Sequence, residues 1–142
     1  MHLRSFQLSD IYAVSTIWDM NAVRREESET LKVMAKQLAH DRDLVLVAEE
    51  DNEIVGAIVG TMDGGTGFFY CLAVHPSYQG RGIARILTSE LEERFRNKGV
   101  RSIWITVDEG TEKLVPFYRH LGFHNTCSTR LEKDLLSLPR NA

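Results

Sequence analysis

Three apolar, β-rich runs separated by turn signals occupy residues 43–74. DLVLVAEE (43–50) and EIVGAIVGTMD (53–63) are joined by Asp51-Asn52, and GFFYCLAV (67–74) follows a tight Gly-Gly-Thr-Gly turn. A two-residue connection suits a hairpin, whereas parallel strands need a crossover of a dozen or more residues. The spacing therefore predicts an antiparallel meander. Its third run is apolar on both faces and reads as central to the sheet.

Helical periods flank the meander. LRSFQL (3–8) reads as a first strand, and Ser9 or Asp10 offers a side-chain oxygen to cap the helix after it. That helix carries Ile11, Val14, Ile17 and Trp18 at helical spacing, and a second follows with Leu31, Met34, Ala35 and Leu38. A third is predicted over 82–97, with Ile83, Ile86, Leu87, Leu91 and Phe95 on one face and Glu92 paired with Arg96 on another. Gly99 is placed to end it in a left-handed conformation. RSIWITVD (101–108) reads as a strand, and a short helix over about 112–120 holds Pro116 in or near its first turn. Two short strands, 123–128 and 129–135, are expected to close the chain. The order β-α-α-β-β-β-α-β-α-β-β mixes hairpins with one strand–helix–strand crossover, which makes the fold α+β and not doubly wound.

The 142 residues suit a single domain, 1–142. A net charge of −3 offers no basic surplus for nucleic acid. No run reaches the roughly 18 apolar residues of a membrane span, and MHLRSFQLSD lacks the apolar core of a secretory signal. Cys71 and Cys127 sit in apolar or small-residue surroundings and read as buried free thiols, so a cytoplasmic address is expected. His120 and His124 have the spacing of two metal ligands, but Leu121-Gly122 breaks the helix between them and no third ligand cluster follows; no metal is expected.

The segment Gln79-Gly80-Arg81-Gly82-Ile83-Ala84-Arg85 lies directly before the third helix. The first N–H groups of a helix lack internal partners and carry the positive end of its dipole. Glycines let an anion approach them without meeting a Cβ, and Arg81 and Arg85 supply charge. A glycine-rich turn that only redirects the chain is the other reading of this hexapeptide. The P-loop pattern is absent, and the dinucleotide fingerprint fails because Arg85 stands where its third glycine belongs.

Gln79-x-x-Gly82-x-Ala84, after an apolar strand ending Leu72-Ala73-Val74, resembles the acyl-CoA pyrophosphate motif of the GNAT superfamily of N-acetyltransferases. Phe117-Tyr118-Arg119-His120-Leu121-Gly122-Phe123 resembles the family's F-Y-x-x-L-G-F segment. The two motifs together, about forty residues apart, are far more specific than either alone. The resemblance implies a mixed, mostly antiparallel sheet of six or seven strands, about four helices, and a splay between the fourth and fifth strands.

It also implies roles. The backbone of Gln79, Gly80, Arg81, Gly82, Ile83, Ala84 and Arg85 would hold the pyrophosphate of acetyl-CoA as cosubstrate. Leu72, Ala73 and Val74 would pair with its pantetheine arm. Tyr118 would protonate the leaving thiolate, whose ordinary pKa near ~8.5 puts a phenol within reach as an acid; a ring merely packed beside Phe117 and Phe123 is the alternative. The acceptor would be a small amine, or a protein N-terminal amine, and a homodimer is compatible with this reading. Two departures stand out. Phe68-Phe69-Tyr70 replaces the strand glutamate of several members, and Thr111 replaces a common asparagine. The base is then a water chain or a rim carboxylate such as Asp63, Asp108 or Glu109, and a non-catalytic acyl-CoA-binding module is the rival function. Arg24 and Arg25, between the first two helices, are candidates to hold an acceptor carboxylate; Trp18 and Met20 are candidates for an apolar wall.

Overall fold

In a computed structural model, residues 1–21, 36, 40–105, 112–127 and 129–136 are described. The chain divides into two compact units, Met1–Thr106 and Val107–Ala142. Among the described residues the first unit holds a five-stranded sheet in the order β1-β2-β3-β4-β5. The strands are β1 (His2–Ser5), β2 (Val45–Glu50), β3 (Glu53–Asp63), β4 (Thr66–Val74) and β5 (Ser102–Trp104). Helices α1 (Ile11–Met20) and α2 (Ile83–Asn97) accompany them.

The meander forms as its turn residues dictate. Asp51 and Asn52 take positive φ angles of 51° and 65°, the left-handed pair of a tight hairpin turn. β1 to β4 are antiparallel in sequence order, and β5 returns parallel to β4 after α2. The centre of the order is β3, with β4 between it and β5.

Alternation along the strands assigns a face to each helix. Val45, Val47, Ala57, Val59 and Ala73 join Val14, Ile17 and Trp18 of α1 in one buried cluster. On the other face, Gly56 and Gly60 admit α2. A Cβ on Gly60 would stand 2.8 Å from the Leu91 Cδ1 atom and 3.0 Å from the Leu44 carbonyl, so only glycine allows this approach. Leu87, Leu91 and Phe95 are buried there, as predicted, while Ile86 points outward. Two-sided burial is why β2 and β3 read as continuous apolar runs.

Several expectations need correction. β1 ends at Ser5, and Leu8–Asp10 is a short 3-10 turn. β5 stops at Trp104; the rest of its predicted length, from residue 106, lies outside the described residues, as does the helix expected around Leu31–Leu38. The described part of 123–135 contains no strand, so the sheet has five strands among the described residues where six or seven were expected. The reason is apolar content without a face to bury: Leu131, Leu135 and Leu136 are 90%, 83% and 97% exposed. Cys127 is exposed and not buried; Cys71 is half-buried, and neither forms a disulfide. The described pairing of β4 with β5 ends at Phe68–Trp104, and the place of the expected splay falls on residues outside the description.

Asp10 does not cap α1 with its side chain. It accepts two hydrogen bonds from the Arg4 guanidinium (2.7 and 2.8 Å) and one from the Gln7 N–H (2.8 Å). Arg4 also donates to Glu49 and to the Ser5 carbonyl, which joins β1, β2 and the start of α1. The Arg4 hydrogen bond holds the Asp10 carboxyl below its ordinary range, with burial opposing. A carboxyl depressed in the folded state contributes stability that is present above its unfolded pKa, near ~3.9, and lost as pH falls through the folded value. Asp10→Asn is therefore expected to cost about 2 kcal/mol at neutral pH. Below about pH 4 the gap to wild type should close. Urea unfolding across that range reads both; a gap independent of pH would remove the carboxylate from this role.

Candidate active site

The loop between β4 and α2 is built by short-range chemistry. Pro76 opens a 3-10 turn, Pro76–Tyr78, for which His75 is the N-cap. The His75 Nδ1 atom accepts from the Ser77 N–H at 3.0 Å, so His75 behaves as the loop-start residue its place before proline predicts. The Arg81 guanidinium lies 4.8 Å from the centre of the Tyr78 ring, a cation–π distance.

Gly80 and Gly82 both adopt left-handed backbone, with φ of 79° and 82°. A Cβ at either would meet nothing within 4 Å, so conformation and not crowding selects glycine here. Gly82 is the N-cap of α2 with no capping side chain. The first helical bond runs from the Ile86 N–H to the Gly82 carbonyl at 3.0 Å. The N–H groups of Ile83, Ala84 and Arg85 precede it and have no carbonyl one turn back to reach. Ile83 is buried and anchors the helix, while Gln79, Gly80, Arg81, Gly82 and Arg85 are exposed. The arrangement is a positively biased N-terminus whose first amides precede the helical bonds, and its chemistry suits an anion with several acceptor oxygens.

β4 reaches this loop through a bulge. Ala57 pairs with Ala73 but Val59 with Tyr70, which leaves one extra residue on β4. Cys71 sits in the bulge with φ of 56°, and its carbonyl accepts from the Trp18 indole N–H at 2.8 Å. The His75 N–H donates to the Val55 carbonyl at 2.8 Å. Gly56 and Val74 are therefore a non-hydrogen-bonded pair, and the polar backbone groups of Val74 point away from β3. By the same alternation Ala73 turns its backbone toward Ala57 and β3. Of the three residues expected to pair with a ligand, Val74 alone is shown turned from β3; Leu72 adjoins the bulge.

The Val74 carbonyl accepts two amide donors, the Asn21 Nδ2 and the Gln79 Nε2, each at 3.0 Å. Sequence reasoning placed Trp18 in the core or on a pocket wall, and it is buried, as that first reading has it. It missed Asn21. A buried indole must satisfy its N–H, which is a legible signal for Trp18; an asparagine after a helix carries no comparable one. Met20 is half exposed.

Tyr118 belongs to the second unit and is described within it. Its helix, α3 (Val115–His120), carries Pro116 in the first turn and ends through Gly122, whose φ is 100°. The Phe123 N–H returns to the Tyr118 carbonyl at 3.1 Å. The Tyr118 ring meets Phe117 and Phe123 edge-on at centroid distances of 5.4 and 5.9 Å. Burial pushes its phenol above the ordinary tyrosine pKa, so it stays protonated at neutral pH. Arg24, Arg25, Asp108, Glu109 and Thr111 lie outside the described residues. Asp63 is exposed and pairs with Thr66 at the far hairpin, about 25 Å of strand from Val74. Among the described residues no three His, Cys, Asp or Glu side chains converge on a point that would hold a metal ion, and no helix is long and apolar enough to cross a membrane.

The family model described as "Acetyltransferase (GNAT) family" matches residues 10–123. An acetyltransferase of Pectobacterium atrosepticum is 36% identical over 136 residues, covering 96% of each chain. A GNAT family acetyltransferase of Brucella melitensis, solved in complex with acetyl-CoA, is 26% identical, with a TM-score of 0.67 over 87% of this chain and 82% of that one. The ribosomal-protein-S18-alanine N-acetyltransferase of Escherichia coli shares the fold at 20% identity, with a TM-score of 0.73 over 88% and 78% of the two chains.

Proposed function

The chain belongs to the GNAT family of acetyltransferases, and on that premise we propose that it moves an acetyl group from acetyl-CoA to a primary amine by direct attack in a ternary complex. The observation that carries the donor assignment is the N-terminus of α2, where left-handed Gly80 and Gly82 lay bare the amides that precede the first helical bond. A diphosphate offers those N–H groups acceptor oxygens, and the exposed Arg81 and Arg85 add positive charge beside it. The Val74 N–H, directed away from β3, suits a carbonyl of the pantetheine arm. The complex of the Brucella relative with acetyl-CoA supports the same donor here.

In this reading the amine attacks the thioester as a free base, and its proton leaves to solvent. The chemistry needs a donor for the developing oxyanion, and a backbone N–H of β4 at the bulge fits that need. Tyr118 gives its phenol proton to the thiolate as the carbon–sulfur bond breaks, and the phenolate recovers a proton from solvent. The phenol, like any tyrosine, is protonated at neutral pH, so the proton is present until the sulfur charge develops, and the burial that raises its pKa makes it a weaker donor, not a stronger one. No carboxylate occupies Thr66–Val74, and the distance of Asp63 from the strand end removes it as a base. A water chain, Asp108 or Glu109 is left to serve as the base, the two carboxylates lying outside the described residues.

The test is thiol release from acetyl-CoA across a panel of amines that includes small metabolite-like amines and peptides with a free N-terminal alanine. Release above the hydrolytic background with at least one class is expected. Ordinary acetyl-CoA binding with no turnover on any amine would overturn the enzyme reading in favour of a binding module.

A further inference from the structure

Three elements meet in a closed ring of hydrogen bonds at the end of β4. The Asn21 Nδ2 group donates one hydrogen to the Ile17 carbonyl at 2.9 Å and the other to the Val74 carbonyl at 3.0 Å. The Gln79 Nε2 group donates one hydrogen to the same Val74 carbonyl at 3.0 Å and the other to the Asn21 Oδ1 atom at 3.1 Å. Both amide groups thus spend both hydrogens, and the Val74 oxygen uses both lone pairs. Asn21 is also the C-cap of α1, with its own N–H returned to the last turn. The ring joins the end of α1, the end of β4 and the start of the glycine loop.

We infer that Asn21 is a positioning residue for the acetyl donor: it fixes the Val74 backbone and the Gln79 end of the glycine loop in one geometry, without touching the donor itself. This rests on the donor site proposed above. The side chain must supply two donors and one acceptor at this length, and asparagine alone does so here; aspartate would present lone pairs to two carbonyl oxygens. Val74 and Gln79 bracket the turn that carries the chain from β4 to the N-terminus of α2. The pantetheine-facing strand end and the diphosphate-facing loop are therefore set against each other by this ring. A shift of either spoils contacts to a ligand that spans both.

The test is a double-mutant cycle read by calorimetric titration with acetyl-CoA. Asn21→Ala removes three hydrogen bonds and Gln79→Ala two, and each is expected to raise the dissociation constant about fivefold to tenfold. The double variant should be no weaker than about twice either single one, because both break the same ring. At saturating acetyl-CoA the turnover number of Asn21→Ala should stay within about twofold of wild type while its KM for the donor rises, a split that general destabilisation would not give. Gln79 is exposed, so Gln79→Ala keeps the test open if Asn21→Ala fails to fold. Wild-type binding with unchanged affinity in the variants, or losses that multiply independently, overturns this inference and leaves the donor site standing. Absence of binding by the wild-type chain takes down both.

Discussion

Gly82→Asp is expected to raise the dissociation constant for acetyl-CoA about a hundredfold or more. Two effects combine. Gly82 sits at φ of 82°, where any L side chain is strained, although aspartate tolerates this region better than most. More important, the substitution plants a carboxylate at the N-cap of α2, against the very amides that would receive a diphosphate. Such a carboxylate satisfies those N–H groups itself and repels the incoming anion. Because a Cβ at this position meets no neighbour within 4 Å, the fold should survive, and circular dichroism should be unchanged. Gly82→Ala separates the causes. It carries the strain without the charge, and its affinity should fall by no more than about tenfold, the equivalent of roughly 1.4 kcal/mol of backbone strain. Equal losses in the two variants would mean that conformation and not anion binding explains the glycine.

Tyr118→Phe is expected to lower the turnover number about a hundredfold while leaving acetyl-CoA affinity within about twofold of wild type. Phenylalanine keeps the ring and its edge contacts with Phe117 and Phe123, so the packing of α3 is retained and only the hydroxyl is lost. The pH dependence carries a second signature. The phenol must be protonated to act, and burial raises its pKa above the ordinary tyrosine value. Beside the acid limb set by protonation of the amine, turnover in the wild type should therefore fall on the alkaline side, as pH rises through that raised value. The variant should lack this alkaline limb. Wild-type turnover in Tyr118→Phe would return the residue to the plain packing reading.

Much of the first unit was legible because its signals are local. The hairpin at Asp51-Asn52, the glycine at Gly99 and the α2 stripe of Ile83, Leu87, Leu91 and Phe95 each follow from backbone preference or helical period. The glycine segment was legible for the same reason: Gly80 and Gly82 take the positive φ that their residue type permits. The expectations that failed depended on what a segment packs against. Residues 123–135 had short apolar runs but no face to bury, and the cap expected of Asp10 lost to the closer, charged Arg4. The ring of Asn21, Val74 and Gln79 was invisible beforehand, since its members are 53 and 58 residues apart and no periodicity links them. Likewise, the β4 bulge appears only through register with β3. The ordinary alternation of the ladder turns the Ala73 backbone toward Ala57, and the bulge lies one step further, at Leu72 and Cys71.

Calorimetric titration of the wild-type chain with coenzyme A, run at two temperatures so that a vanishing enthalpy at one cannot hide binding, tests the donor site most directly. Saturable binding at one coenzyme A per chain, lost in Gly82→Asp, is the predicted result. A chain that gives no binding heat at either temperature, or that binds equally well with aspartate at position 82, would contradict it.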